Sequence, residues 1–239
     1  MEQSYTAIYF AFLAPYGLYV MYHTDIWFFN TKAFYENYPH RTHTSDFKAY
    51  YLLQAAYWLQ QAIVLLLQLE KPRKDFKELI LHHVVTISLI GLSYRFHFTW
   101  IGIAVFWTHD VSDFFLATSK TLNYMDHPLV APWFALFIGM WIYMRHYLFL
   151  VTYSSVFTEF KALGPWVLDW ENGSYKSGLA QLIAAVLLGS LQAMNLFWLF
   201  LILRIAVRFA VSKEAVDERS EDEPDEEEDS SSNQGDKQE

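Results

Sequence analysis

The chain has 239 residues, 54% hydrophobic and 19% aromatic, with a formal net charge of −9. That charge is local: 212–239 holds 3 basic and 13 acidic residues, and subtracting them from 17 and 26 leaves a near-neutral body, 1–211, with 14 and 13. The absence of cysteine excludes a disulfide framework, a thiolate nucleophile and a thiolate metal ligand, and no basic patch, phosphate loop or repeat points to nucleic acid or a nucleotide fold.

Met1 to Ser4 carries Glu2 and no basic n-region, so no cleavable signal is expected. The chain enters an apolar run almost at once, which suggests that it begins inside a longer protein. About 20 mainly apolar residues cross roughly 30 Å of hydrocarbon, and six segments approach that length: 5–22, 49–69, 79–96, 99–118, 129–151 and 180–206. Only His97 and Phe98 separate the third from the fourth, which predicts a tight helical hairpin. Each segment carries Tyr, Trp, Gln, His or Asp, as helices packed around a polar interior do. The expected fold is therefore all-α and integral to the lipid bilayer, with a membrane domain over 1–211. Lys71, Arg73, Lys74 and Lys77 crowd the connection after the second segment. Lys120 follows the fourth, and Arg204, Arg208 and Lys213 border the sixth. In a six-span chain these positions share one side, which the positive-inside rule assigns to the cytosol together with both termini. Loops 23–48 and 152–179 then face the lumen, the second carrying the glycosylation sequon Asn172-Gly173-Ser174. The tail, 212–239, is acidic and Ser-rich, too poor in apolar surface to offset chain entropy, and is expected to be disordered. Ser220, ahead of Glu221-Asp222-Glu223, suits an acidophilic kinase.

A charged side chain at the centre of a spanning helix costs about 2.5–3.5 kcal/mol on insertion scales. Yet His82-His83 opens the third segment and His109-Asp110-Val111-Ser112-Asp113 lies in the fourth. Because these segments are antiparallel neighbours, the two groups reach similar depth near the cytosolic end. Asp110 and Asp113 share a helix face, whereas His82 and His83 point about 100° apart. One histidine is expected to enter a cavity while the other flanks it, with Thr86 and Tyr94 continuing the polar side. Histidine titrates near neutrality and can serve as base, acid or nucleophile, and an adjacent carboxylate would fix its tautomer. With no cysteine and no serine elbow, acyl transfer would run through histidine, as general base or acyl-imidazole carrier. The same groups would equally suit helix–helix hydrogen bonding, a proton relay or a mononuclear metal site. Of the nine histidines, none forms the HxxxH or HxxHH boxes of di-iron membrane enzymes within the spans. His109 alone reads as structural or functional in equal measure. Arg145-His146, deep in the fifth segment, reads as a polar wall or interhelical pair, and Arg95 as a snorkelling side chain.

Leu81-His82-His83-Val84-Val85-Thr86, Ser93-Tyr94, His109-Asp110-Val111-Ser112-Asp113-Phe114-Phe115-Leu116, Ser119-Lys120 and Asn123-Tyr124 resemble the Lag1 motif of ceramide synthases, within the TLC domain. Tyr22 to Tyr38, Gln68 to Phe76, Trp141 to Tyr147 and Asn195 to Phe200 are similar to the fungal sphingoid-base N-acyltransferases. The resemblance covers roughly 15–210. It implies a six-helix TLC-type bundle or barrel in the endoplasmic reticulum membrane, joining a fatty acyl group from acyl-CoA to the amine of a long-chain sphingoid base. It implies catalytic roles for His82, His83, Asp110 and Asp113; beside it, substrate contacts are expected from Lys71, Arg73, Lys74, Thr86, Tyr94, Asn123, Arg145 and His146. Acyl-CoA enters as co-substrate, with no cofactor and no metal. A small single-span regulatory subunit and homo- or hetero-dimers are the partners implied. Family members carry further membrane segments ahead of the TLC domain, whereas this chain starts at its first helix, which implies a truncated chain or a short form. A non-enzymatic lipid-sensing TLC protein and a His/Asp proton-coupled transporter are the competing functions.

Overall fold

The computed structural model describes residues 2–69 and 74–212. Among them the chain builds seven α-helices, two 3-10 turns, one π-helical turn and one short hairpin. Helix α1, Glu2–Tyr22, contains Pro15 and packs chiefly on α4. Helix α2, Ser45–Leu66, starts where the Thr44 hydroxyl accepts the Phe47 N–H at 3.3 Å, and Asp46 lies in its first turn, where the helix dipole favours an anion. Its buried residues Phe47, Tyr50, Tyr51, Gln54 and Tyr57 recur at helical spacing on one face. Helices α3, Phe76–Arg95, and α4, Thr99–Tyr124, form the expected hairpin, with His97 in the left-handed region, φ 63°, where the chain reverses.

The expected fifth span is longer and irregular. Helix α5, Val130–Ile142, runs through a π turn, Tyr143–Leu148, into α6, Phe149–Thr158. A two-residue hairpin follows, β1, Leu168–Asp169, pairing antiparallel with β2, Ser174–Tyr175. Helix α7, Gly178–Ser212, closes the bundle against α3 and α6. Among the described residues, three stretches are long and apolar enough to cross a membrane: Phe76–Arg95, Val130–Thr158 and Gly178–Phe209. The other three long helices are less apolar because they carry the tyrosines of α1, the tyrosines and glutamines of α2 and the two aspartates of α4. The expected tail lies outside the described residues.

Two buried clusters organise the interior. One joins α1, α2, α4 and the 3-10 turns Trp27–Phe29 and Thr31–Phe34; the other joins Val85 of α3 to α5, α6 and α7. Lipid is as apolar as leucine, so such helices associate by close packing and internal hydrogen bonds. Gly17 illustrates the first: a methyl group there would meet the Tyr50 hydroxyl at 2.6 Å. Loop 23–44 and the hairpin cap one end together. Tyr38 donates to the Phe96 carbonyl at 2.9 Å and accepts the Tyr175 N–H at 3.1 Å. Lys176 is buried against Tyr35, Tyr38 and Phe160 and donates to the Leu163 carbonyl. Desolvation lowers the Lys176 ammonium to about 8.

Candidate active site

A cavity of about 310 Å³ lies among α2, α3, α4 and α7. Its α3 wall runs from His82 through Thr86, Leu89 and Ser93 to Phe96, about 20 Å at 1.5 Å per residue. Apolar side chains dominate it, and Phe160, Trp170 and Tyr175 close the end under the hairpin. At the other end are Trp58, His82 and His109.

His82 and His83 are both buried, with rings perpendicular at 89° and 5.6 Å apart, as one 100° helical step requires. His82 lines the cavity; His83 does not. The His82 ring is held edge-on by Trp58 at 5.6 Å and Trp198 at 5.1 Å. Trp198 in turn donates its indole N–H to Asp75 at 3.1 Å. The Thr86 hydroxyl lies 3.5 Å from His82 Nε2, at the outer limit of a hydrogen bond. His83 Nδ1 donates to the Leu79 carbonyl at 2.8 Å. His82 Nδ1 and His83 Nε2 have no hydrogen-bond partner among the described residues.

The aspartates do not orient these histidines directly, which corrects the expectation. Asp110 Oδ2 accepts from the Tyr50 hydroxyl at 2.6 Å and from the Gln54 amide, so it ties α4 to α2. Asp113 pairs with Arg145 at 2.5 Å, tying α4 to the π turn. Arg145 also donates to Ser112 at 2.6 Å and Asn195 at 3.1 Å, and its guanidinium lies 4.1 Å from the centroid of the Trp141 ring. On α4 it is His109, one residue from Asp110 and about 100° around the helix, that reaches the cavity. Its Nδ1 donates to the Val105 carbonyl at 2.8 Å and its Nε2 has no partner among the described residues.

The remaining candidates divide. Thr86 lines the cavity. Tyr94 is 40% exposed and stands outside it, leaving the lining to Tyr51 and Ser93. Arg145 and His146 are buried away from it; His146 Nδ1 accepts from the Gln192 amide at 2.8 Å. Asn123 ends α4, beyond the cavity, and Lys74 is exposed just before α3. Lys71, Arg73 and Ser220 lie outside the described residues. Asn172 is exposed in the hairpin turn, its amide donating to Asp169 at 2.7 Å. Arg95 bonds the Tyr175 hydroxyl at 3.2 Å, docking the hairpin. No three His, Cys, Asp or Glu side chains converge on a metal position among the described residues. Gln54 and Asn195, given no site role from the sequence, are both fully buried amides inside apolar segments. Their polarity within such segments was the available signal.

Long apolar helices packed around a cavity lined by two histidines define an α-helical membrane protein with polar groups buried in its interior. The chain belongs to the TLC domain family, whose match covers residues 1–204. It is 53% identical, over 94% of its length, to sphingosine N-acyltransferase lac1 of Schizosaccharomyces pombe, of which it covers 59%. It is 50% identical to ceramide synthase LAG1 of Saccharomyces cerevisiae over 95% of its own length and 55% of that protein. Mouse ceramide synthase 4 is 34% identical over 81% of this chain and 46% of its own. The chain thus spans a little under three fifths of the relatives most similar to it among these.

Proposed function

We propose that the protein is an N-acyltransferase that joins the acyl group of acyl-CoA to the amine of a long-chain sphingoid base, giving a ceramide. The observation that carries this reading is the apolar cavity, whose lining includes the two imidazoles of His82 and His109. A long acyl chain suits its apolar length, and His82 and His109 stand toward one end of it, where the thioester carbonyl of such a chain would lie. The relatives named as sphingosine N-acyltransferases and ceramide synthases support the substrate classes.

In this reading His82 acts at the acyl carbonyl, as base or acyl carrier, and His83 flanks it. Asp110 and Asp113 act by fixing α4 against α2 and the π turn. Lys71, Arg73 and Lys74 supply positive charge for CoA on the cytosolic side. Acyl-CoA is a co-substrate, and neither cofactor nor metal takes part. The chain crosses the endoplasmic reticulum membrane six times with both ends cytosolic, glycosylated at Asn172. A small single-span subunit and a second synthase copy are its partners.

The test is ceramide formation from sphinganine and a fatty acyl-CoA by membranes containing the full chain. His82→Ala at unchanged expression is expected to abolish it. A fully active His82→Ala variant sinks the site assignment. Transport of substrate without amide formation indicates a carrier instead.

A further inference from the structure

His109 is the second imidazole of the cavity lining. It is 4% exposed, lines the cavity with His82, and stands on the facing helix of the α3–α4 hairpin. Its tautomer is fixed from two sides. The Val105 carbonyl, 2.8 Å from Nδ1, can only accept. The Thr108 hydroxyl lies 3.2 Å from the same nitrogen, but its hydrogen is engaged with Val105 at 2.8 Å, so it too can only accept. Nδ1 therefore carries the proton, and Nε2 keeps a lone pair that no described residue occupies. His82 has no such lock: one nitrogen has no partner and the other faces a hydroxyl at 3.5 Å. His83 is locked by Leu79 but does not reach the cavity.

Resting on the acyltransferase reading, we propose that His109 is a catalytic residue of this site: its Nε2 takes the proton from the sphingoid ammonium. The amine nitrogen then attacks the thioester carbonyl, a C–N bond forms and the C–S bond breaks. His109 returns its proton to the departing CoA sulfur, and the second proton shed by the nitrogen leaves to water. The working histidines are then His82 and His109, from two helices, rather than the adjacent pair in the sequence.

The charged and titratable groups acting on His109 are Arg145 from the π turn and His82 from α3, with the Phe149 ring of α6 5.8 Å away. His109→Asn keeps an amide N–H able to reach the Val105 carbonyl while removing the Nε2 lone pair; His109→Gln is the second variant. With the full chain in membranes, sphinganine and acyl-CoA, His109→Asn is expected to form amide about 100-fold slower than wild type at pH 7. The loss should shrink steadily toward pH 9 as solution frees the amine itself. His82→Ala should show no such recovery. Wild-type rate in His109→Asn at pH 7, or a loss of equal size at every pH in both His109 variants, overturns the assignment. A wild-type protein that forms no amide overturns the acyltransferase reading itself and this inference with it.

Discussion

His82 is oriented by aromatic rings more than by hydrogen bonds, and Trp198 is the ring with an anchor of its own. Trp198→Phe keeps an edge against the imidazole but loses the indole N–H that reaches Asp75. The expected result is a kcat lower by about tenfold, equal to 1.4 kcal/mol of barrier, with little change in the KM for acyl-CoA. Steady-state kinetics on the variant decide it, and a KM effect alone would mean that Trp198 only shapes CoA binding. Arg145 answers a different question. Its guanidinium serves Asp113, Ser112 and Asn195 at once, a fork that an ammonium cannot reproduce. Arg145→Met is expected to lower stability by about 3–5 kcal/mol, because the largely buried Asp113 carboxylate loses its paired donor. Thermal unfolding in detergent measures it, and Arg145→Met with Asp113→Leu should recover part of the loss if the cost is the stranded charge.

The α3–α4 hairpin brings the histidines together, and its packing rests on Gly102. A methyl group there would meet Tyr51 Cε2 at 3.0 Å and Ser93 Oγ at 3.3 Å, so α2, α3 and α4 would all have to give. Gly102→Ala is expected to cost about 1–3 kcal/mol by overpacking, read as a lower unfolding temperature. The capping loops bear on pH. Burial lowers His43 to about 4 from 6.5, and lowers His40 and His97 for the same reason. Above 6.5 these groups are neutral folded or unfolded and contribute nothing. For His43 the window lies between 6.5 and 4: there the unfolded chain takes up a proton that the folded chain refuses, so stability falls as pH falls through it, and His40 and His97 act in the same direction. The unfolding temperature should therefore drop between pH 7 and pH 5. His43→Gln, which keeps a donor or acceptor for Thr99, should reduce the slope. Much of this was legible in the sequence. The hairpin followed from two residues between apolar runs, and the paired ionisable groups followed from their cost in hydrocarbon. The π turn was not, because backbone pairing to the fifth residue leaves no distinct apolar period. Nor were the partners of Asp110 and Asp113. Helical spacing says that they share a face, but tertiary packing decides that the face meets Tyr50, Gln54 and Arg145 instead of the histidines.

The two ends of the bundle differ in chemistry, and α3 sets their separation. At 1.5 Å per residue its 20 residues span about 30 Å, the thickness of a hydrocarbon core. Lys74 stands exposed before its first turn. Arg95, in its last turn, holds Tyr175 and with it the hairpin that carries Glu171 and Asn172. Lys74 and the sequon are therefore at opposite ends of α3, whichever way the protein lies in the bilayer. The positive-inside rule predicts the sense, with Lys74 cytosolic. The chain contains no cysteine, so a single introduced thiol reports its own position without background. In sealed endoplasmic reticulum microsomes, whose outer face is cytosolic, a membrane-impermeant maleimide is expected to label Lys74→Cys at once. Glu171→Cys should react only after detergent opens the vesicles. Removal of an N-linked glycan should shift the mobility of the wild-type chain, and Asn172→Gln should abolish that shift. The reverse labelling pattern would invert the protein in the membrane and leave the cavity histidines at the lumenal end, out of reach of cytosolic CoA. Labelling of both positions from outside would mean that α3 does not span the bilayer, which would remove the ground for treating its histidines as intramembrane groups.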